Sequence, residues 1–215
     1  MKEQRFRDRA EAGRLLGVEV GGLGLRESVV LALPRGGVPV GFEVAAALGA
    51  PLDVIVARKV GAPHQPELGI GAVAENGVVV SRAAALRSLA LTEADFVRLA
   101  ATEREELDRR VRRYRGDRVL PVLADRDVCV VDDGLATGVT ADAALRAVRA
   151  LRPRRLVLAV PVCASATAER VREVADDVVC VVSSDRFSSV GQWYDDFTQT
   201  TDDEVLALLA ALSED

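Results

Sequence analysis

Five short β-branched runs with little polar alternation constrain the fold of this chain most: residues 28–33 (SVVLAL), 52–57 (LDVIVA), 127–132 (DVCVVD), 155–160 (RLVLAV) and 177–182 (DVVCVV). Such runs suit strands buried on both faces. Helical spacing fills intervals between and after them, at 38–48, 140–151, 166–175 and 202–212. Strand therefore alternates with helix, which predicts an α/β fold built on a doubly wound parallel sheet. The 215 residues are 49% hydrophobic and 28% charged, a globular balance, and carry no repeat, low-complexity tract or Ser/Pro-rich linker. One domain over 1–215 is expected.

Charge and motif content remove several function classes. A net charge of -5 argues against a nucleic-acid partner bound through overall charge. The longest nearly apolar run, 156–168, contains Pro161 and is shorter than the roughly 20 residues of a membrane span. The charged start, MKEQRFRDRAEAGRLL, lacks the apolar core of a secretory signal, so a cytoplasmic location without a membrane partner is expected. Cys129, Cys163 and Cys180 lie in apolar runs without CxxC or zinc spacing and read as reduced core residues. His64 is the single histidine, which excludes an HExxH site, and no GxSxG or GK[ST] sequence occurs.

Between the second and third core runs lies an insertion. Residues 60–80 hold Gly61, Gly69, Gly71 and Gly77 with Pro63 and Pro66, so a flexible loop or loose hairpin is expected, a segment suited to act as a lid. A helical insertion follows at about 83–116. Within it, 92–115 places Phe96, Leu99, Leu107, Val111 and Tyr114 near helical spacing on one stripe. The basic run RRVRRYR is offset by Glu103, Glu105, Glu106 and Asp108 and reads as a solvated face.

The stretch VCVVDDGLATGVTADAALRAVR, 128–149, carries the chemistry: a buried strand ending in two aspartates, a small-residue turn, then a helix. Parallel sheets bind ligands at the carboxyl ends of such strands. Gly134, Ala136 and Gly138 let backbone amides converge, and Thr137 and Thr140 add hydroxyls at a helix N-terminus, which favours a phosphate. Two carboxylates beside a phosphate need donors or a cation, and a ribose diol with magnesium supplies both. A ribose 5-phosphate is the ligand class implied.

VVDDGLATGVTA resembles the phosphoribosyl pyrophosphate (PRPP) motif of the type I phosphoribosyltransferases. The resemblance implies that Asp132 and Asp133 engage the ribose hydroxyls and that Ala136, Thr137, Gly138, Val139 and Thr140 cradle the 5-phosphate. LALPRGGVPVG, 31–41, matches the place of that family's pyrophosphate loop, with Arg35, Gly36 and Gly37 as its residues and the glycines permitting an unusual backbone. Arg58 and Lys59, read as the end of the second strand, add cations for pyrophosphate. The implied catalytic set is Asp132, Asp133, Lys59 and Arg35, with Mg2+ as cofactor, held through PRPP and by Asp132 and Asp133. The partners implied are PRPP and a base or amine acceptor, and the family suggests a homodimer.

Acceptor choice in that family comes from a variable hood, here the N-terminus and the C-terminal segment at about 186–215. Trp193, Tyr194 and Phe197 in that segment either stack on a base or anchor the last helix. The expected function is phosphoribosyl transfer with release of pyrophosphate. Two alternatives stand beside it: a regulatory PRPP- or nucleotide-binding module, whose nucleic-acid surface would be 109–118, and an enzyme running pyrophosphorolysis or hydrolysis of a nucleotide.

Overall fold

The computed structural model describes residues 5–212, so the first four and last three positions of the expected domain lie outside the described residues. Strands β1 (Val29–Ala32), β2 (Leu52–Val54), β6 (Asp127–Val131), β7 (Arg155–Ala164) and β8 (Asp177–Ser184) form one sheet in the order β2-β1-β6-β7-β8, and every neighbouring pair is parallel. β1 and β6, at its centre, are buried at every residue, as the apolar runs Val29–Ala32 and Val128–Val131 require, and Asp127 at the start of β6 is buried with Arg154 Nε 2.8 Å from its Oδ1. Helices α1 (Arg9–Gly21), α2 (Gly37–Leu48) and α7 (Asp202–Ala211) cover one face, while α5 (Val139–Arg149) and α6 (Ser165–Val171) cover the other. The fold is the doubly wound α/β sheet that the sequence pattern predicts. Its strand order reverses between β1 and β6, which places a ligand crevice at their carboxyl ends.

The insertion departs from expectation. β3 (Ala57–Ala62), β4 (Gln65–Ala74) and β5 (Val79–Ser81) make an antiparallel sheet where a flexible loop or loose hairpin is expected over 60–80, with register shifts between Val60 and Gly61 and between Gly61 and Ala62. Its glycines serve packing as well as turns. A β-carbon on Gly71 would lie 2.4 Å from the Phe96 ring and 2.4 Å from Val80 O, so the strand admits no side chain there. The second core strand is correspondingly shorter than 52–57. It ends at Val54, and Arg58 and Lys59 belong to β3.

Helices α3 (Ala83–Ser88) and α4 (Glu93–Arg115) complete the insertion, α4 opening on a reciprocal cap between Thr92 and Asp95. Phe96, Leu107 and Tyr114 are buried, and Leu99 and Val111 pack half-buried beside them. The basic run at the end of α4 is not solvated throughout. Arg109 and Arg110 pair with Glu106, but Arg115 turns inward, with Nη1 2.6 Å from Glu75 Oε2, Nη2 2.6 Å from Val54 O and Nε 3.6 Å from Asp53 Oδ2. Glu75 Oε1 also accepts the Val56 amide at 2.8 Å. One buried guanidinium thus joins α4 to β2 and to the far end of β4. Cys129 and Cys163 are buried, Cys180 is half-buried, and all three are free thiols.

Candidate active site at the strand switch point

Leu33 N donates to Val131 O at 2.8 Å, so the turns after β1 and β6 leave the sheet side by side. The first turn contains a cis peptide bond between Pro34 and Arg35 and runs through Gly36 into α2. A β-carbon on Gly36 would stand 2.0 Å from Asp133 Oδ2, and one on Gly37 would stand 2.8 Å from Val131 O and 2.9 Å from Asp132 Cα. Gly36 itself is helical, with φ -61 and ψ -32. These glycines are therefore required for contact between the two turns, and not for the backbone freedom expected of them. The expected pyrophosphate loop and acidic pair are brought together.

The two carboxylates hold separate partners. Asp132 Oδ1 accepts the Asp133 amide at 2.9 Å, and Asp133 Oδ2 accepts Arg9 Nε at 2.8 Å. Burial pushes both carboxyl groups above the usual range. The Asp133 charge adds to the rise at Asp132, and the Arg9 guanidinium opposes the rise at Asp133. Tyr194 OH donates to Asp133 O at 2.7 Å and fixes the backbone beneath the pair. Arg9 escapes sequence reasoning. The only local signal is the Asp8 cap accepting the Glu11 amide, which announces a helix start and says nothing of a partner at Asp133.

Beyond the pair, residues 134–140 curl into a cradle. Leu135 bridges to Cys163 on β7, while Thr167 Oγ1 and Arg170 Nη2 donate to the carbonyls of Ala136 and Thr137 at 2.7 and 2.5 Å. Gly138 is left-handed (φ +70), and a β-carbon there would meet Thr167 Cγ2 at 2.6 Å. With two carbonyls turned to α6, Asp132 and residues 134–141 line a concavity of about 130 Å³ at the start of α5. The Ala136, Thr137, Gly138, Val139 and Thr140 turn occupies the place expected of an anion cradle.

The basic residues divide. Lys59 and Arg58 are consecutive on β3 and point to opposite faces. The Lys59 stem passes Gly69, where a β-carbon would lie 3.2 Å from Lys59 Cδ and 3.8 Å from Val139 Cγ2, which sets Lys59 beside the cradle. Arg58 faces α4 and binds Glu103 Oε2 through Nε and Nη2 at 2.9 and 2.6 Å. Its expected role toward pyrophosphate is thereby corrected to a contact between hairpin and helix. Arg35 Nη1 lies 3.7 Å from Asp202 Oδ1 at the start of α7. His64 is exposed at the hairpin turn with φ +63.

The aromatic cluster separates as well. Trp193 and Tyr194 are 3% and 2% exposed and pack with Phe6, Ala12 and Val162. Backbone bonds between Phe6 N and Trp193 O and between Asp195 N and Phe6 O, both 2.8 Å, close a clasp between the two segments expected to form the hood. Neither buried ring offers a face to a base, so the stacking reading is corrected for Trp193 and Tyr194, and what the two rings anchor is the N-terminal segment at Phe6 and not the last helix. Phe197, 37% exposed, carries the Arg9 guanidinium 4.0 Å above its ring.

Comparisons with known proteins bear on the family and the fold. The phosphoribosyl transferase domain family matches residues 9–197. Rv0571c of Mycobacterium tuberculosis H37Rv, provisionally named a phosphoribosyl transferase, is 47% identical over 207 residues, covering 95% of this chain and 46% of that protein. MT0597 of strain CDC 1551 matches equally, so the chain spans about half the length of the curated relatives it matches. The crystal structure of TT1426 from Thermus thermophilus is similar over 97% of this chain and 99% of that one, with 45% identity and a TM-score of 0.82. A Neisseria gonorrhoeae protein solved with bound ppGpp shares the fold at 15% identity and a TM-score of 0.53. By residues matched and by likeness to these relatives, the chain belongs to the phosphoribosyl transferase domain family.

Proposed function

We propose that this chain transfers a 5-phosphoribosyl group from PRPP to the nitrogen of a base or amine and releases pyrophosphate. The observation that carries the reading is the meeting of Asp132, Asp133 and the 134–140 cradle with the Gly36–Gly37 turn at the point where strand order reverses. Ribose hydroxyls donate to the two carboxylates. Backbone amides of the cradle with the Thr137 and Thr140 hydroxyls hold the 5-phosphate, and Lys59 faces the pyrophosphate. Catalysis rests on positioning and on charge set where it develops, with the carboxylates facing the positive sugar carbon.

The donor set fits magnesium shared with substrate. One oxygen of each carboxylate is engaged within the protein, leaving one on each for a cation otherwise held by phosphates. When bound, magnesium supplies charge neutralisation to the departing pyrophosphate.

Calorimetry of PRPP binding, with and without magnesium, tests the reading on wild type and on Asp132→Asn/Asp133→Asn. Expected is micromolar binding, roughly -8 kcal/mol, that requires magnesium and disappears in the double variant. No binding by wild type, or equal binding by the variant, overturns it. A second reading, a PRPP-sensing module without turnover, is favoured by the protein partners already held by Arg35 and Arg58. PRPP binding with no pyrophosphate release across a panel of bases and amines supports that reading instead.

A further inference from the structure

We propose that Arg9 is a positioning residue for the sugar end of the substrate: it holds Oδ2 of Asp133 so that Oδ1 of Asp133 and Oδ2 of Asp132 are left to the ligand. The assignment deepens the phosphoribosyl reading and rests on it. Arg9 opens α1, far in sequence from every element assigned to the site, yet its side chain is only 11% exposed and that of Asp133 15%. Three contacts fix the guanidinium: Nε on Asp133 Oδ2 at 2.8 Å, Nη1 on Thr198 O at 2.7 Å, and the Phe197 ring 4.0 Å beneath it. The Tyr194 ring centroid lies 5.9 Å from the guanidinium, and the bare Gly36 adjoins it, where a β-carbon would lie 3.3 Å from Arg9 Nε and 2.0 Å from Asp133 Oδ2. The ion pair thus occupies the room that Gly36 leaves open.

Asp132 Oδ1 is held in parallel by the Asp133 amide. Each carboxylate therefore spends one oxygen on the protein, and the other oxygen of each is left to the ligand. A planar guanidinium suits this task because its fork meets Asp133 and the Thr198 carbonyl together, which a lysine ammonium on a flexible stem does not. Arg9 acts only through Asp133. That restriction makes the assignment testable by whether the two substitutions add.

The test is calorimetric PRPP binding in magnesium with the full chain, in a cycle of Arg9→Met and Asp133→Asn, with exposed Arg7→Met as control and thermal melting of each variant. Arg9→Met is expected to weaken binding by about tenfold or more, the scale of a lost charge-assisted bond. In the Asp133→Asn background the same substitution changes binding by less than about twofold. Arg9→Lys keeps the charge and loses about threefold alone, and nothing in the Asp133→Asn background. That variant carries the test by itself should Arg9→Met fail to fold. Wild-type affinity in both Arg9 variants, or losses that add in full to that of Asp133→Asn, overturns the positioning role. Absence of PRPP binding by wild type overturns the functional reading, and the Arg9 role with it.

Discussion

Gly36 and Asp133 touch at a point where no side chain fits: a β-carbon on Gly36 would lie 2.0 Å from the Asp133 carboxylate. The contact joins the turn after β1 to the turn after β6, so the proposed pyrophosphate and ribose subsites are held in one geometry. Gly36→Ala is expected to push the carboxylate from its place and weaken PRPP binding by about tenfold, or 1.4 kcal/mol. Its thermal midpoint falls by a few degrees. Calorimetry and melting curves check both, and affinity equal to wild type would contradict the contact's importance.

Arg58 and Lys59 face opposite sides of β3, and their substitutions should separate accordingly. Arg58→Met removes a half-buried pair with Glu103 and costs up to about 1 kcal/mol of stability, while PRPP affinity changes little. Lys59→Met should weaken PRPP and pyrophosphate binding. Reversal of this division in paired melting and binding measurements would show that the two faces have been assigned the wrong way round.

Tyr194 is expected to act as an anchor. Tyr194→Phe removes only the bond to Asp133 O and costs about 1 kcal/mol, whereas Trp193→Ala empties a buried site and costs about 3–5 kcal/mol. Chemical denaturation of the two variants reads these values. Stability unchanged by Trp193→Ala is the result that would defeat the anchoring role.

Tyr114 gives a signature at alkaline pH. Burial, then the bond to Asp202, pushes its phenol from 10.0 up to about 12. A raised folded value means that its contribution is complete below pH 10 and is lost as pH climbs toward 12. Wild type should therefore lose stability over that window more steeply than Tyr114→Phe. Parallel loss in both proteins, followed by thermal melting from pH 9 to 12, would exclude the phenol as the cause.

The core strands were legible because residues buried on both faces leave unbroken apolar runs, as in Val29–Ala32 and Val128–Val131. The acidic pair and its turn were legible for a different reason, since strand, carboxylates and cradle are contiguous in the chain. Close packing hid the rest. Gly71 looks like turn chemistry in sequence, but the Phe96 ring takes the space its side chain would fill. Gly13 and Gly17 lower the helical signal of α1, although each lets it approach α2, where a β-carbon would lie 2.8 Å from Val40 O and from Ala47 Cβ respectively. The bond from Arg9 to Asp133 spans 124 positions and leaves no local trace.

Arg115 fastens the hairpin at its root. Its guanidinium reaches Val54 O just before β3 and Glu75 just after β4, so both ends of the strand pair are tied to one buried cation. Removing one partner of such a buried pair costs about 3–5 kcal/mol. With Arg58 on Glu103 and Gly71 beneath the Phe96 ring, the strand pair is braced on α4 from root to middle, so Lys59 is presented to the cradle from a fixed platform.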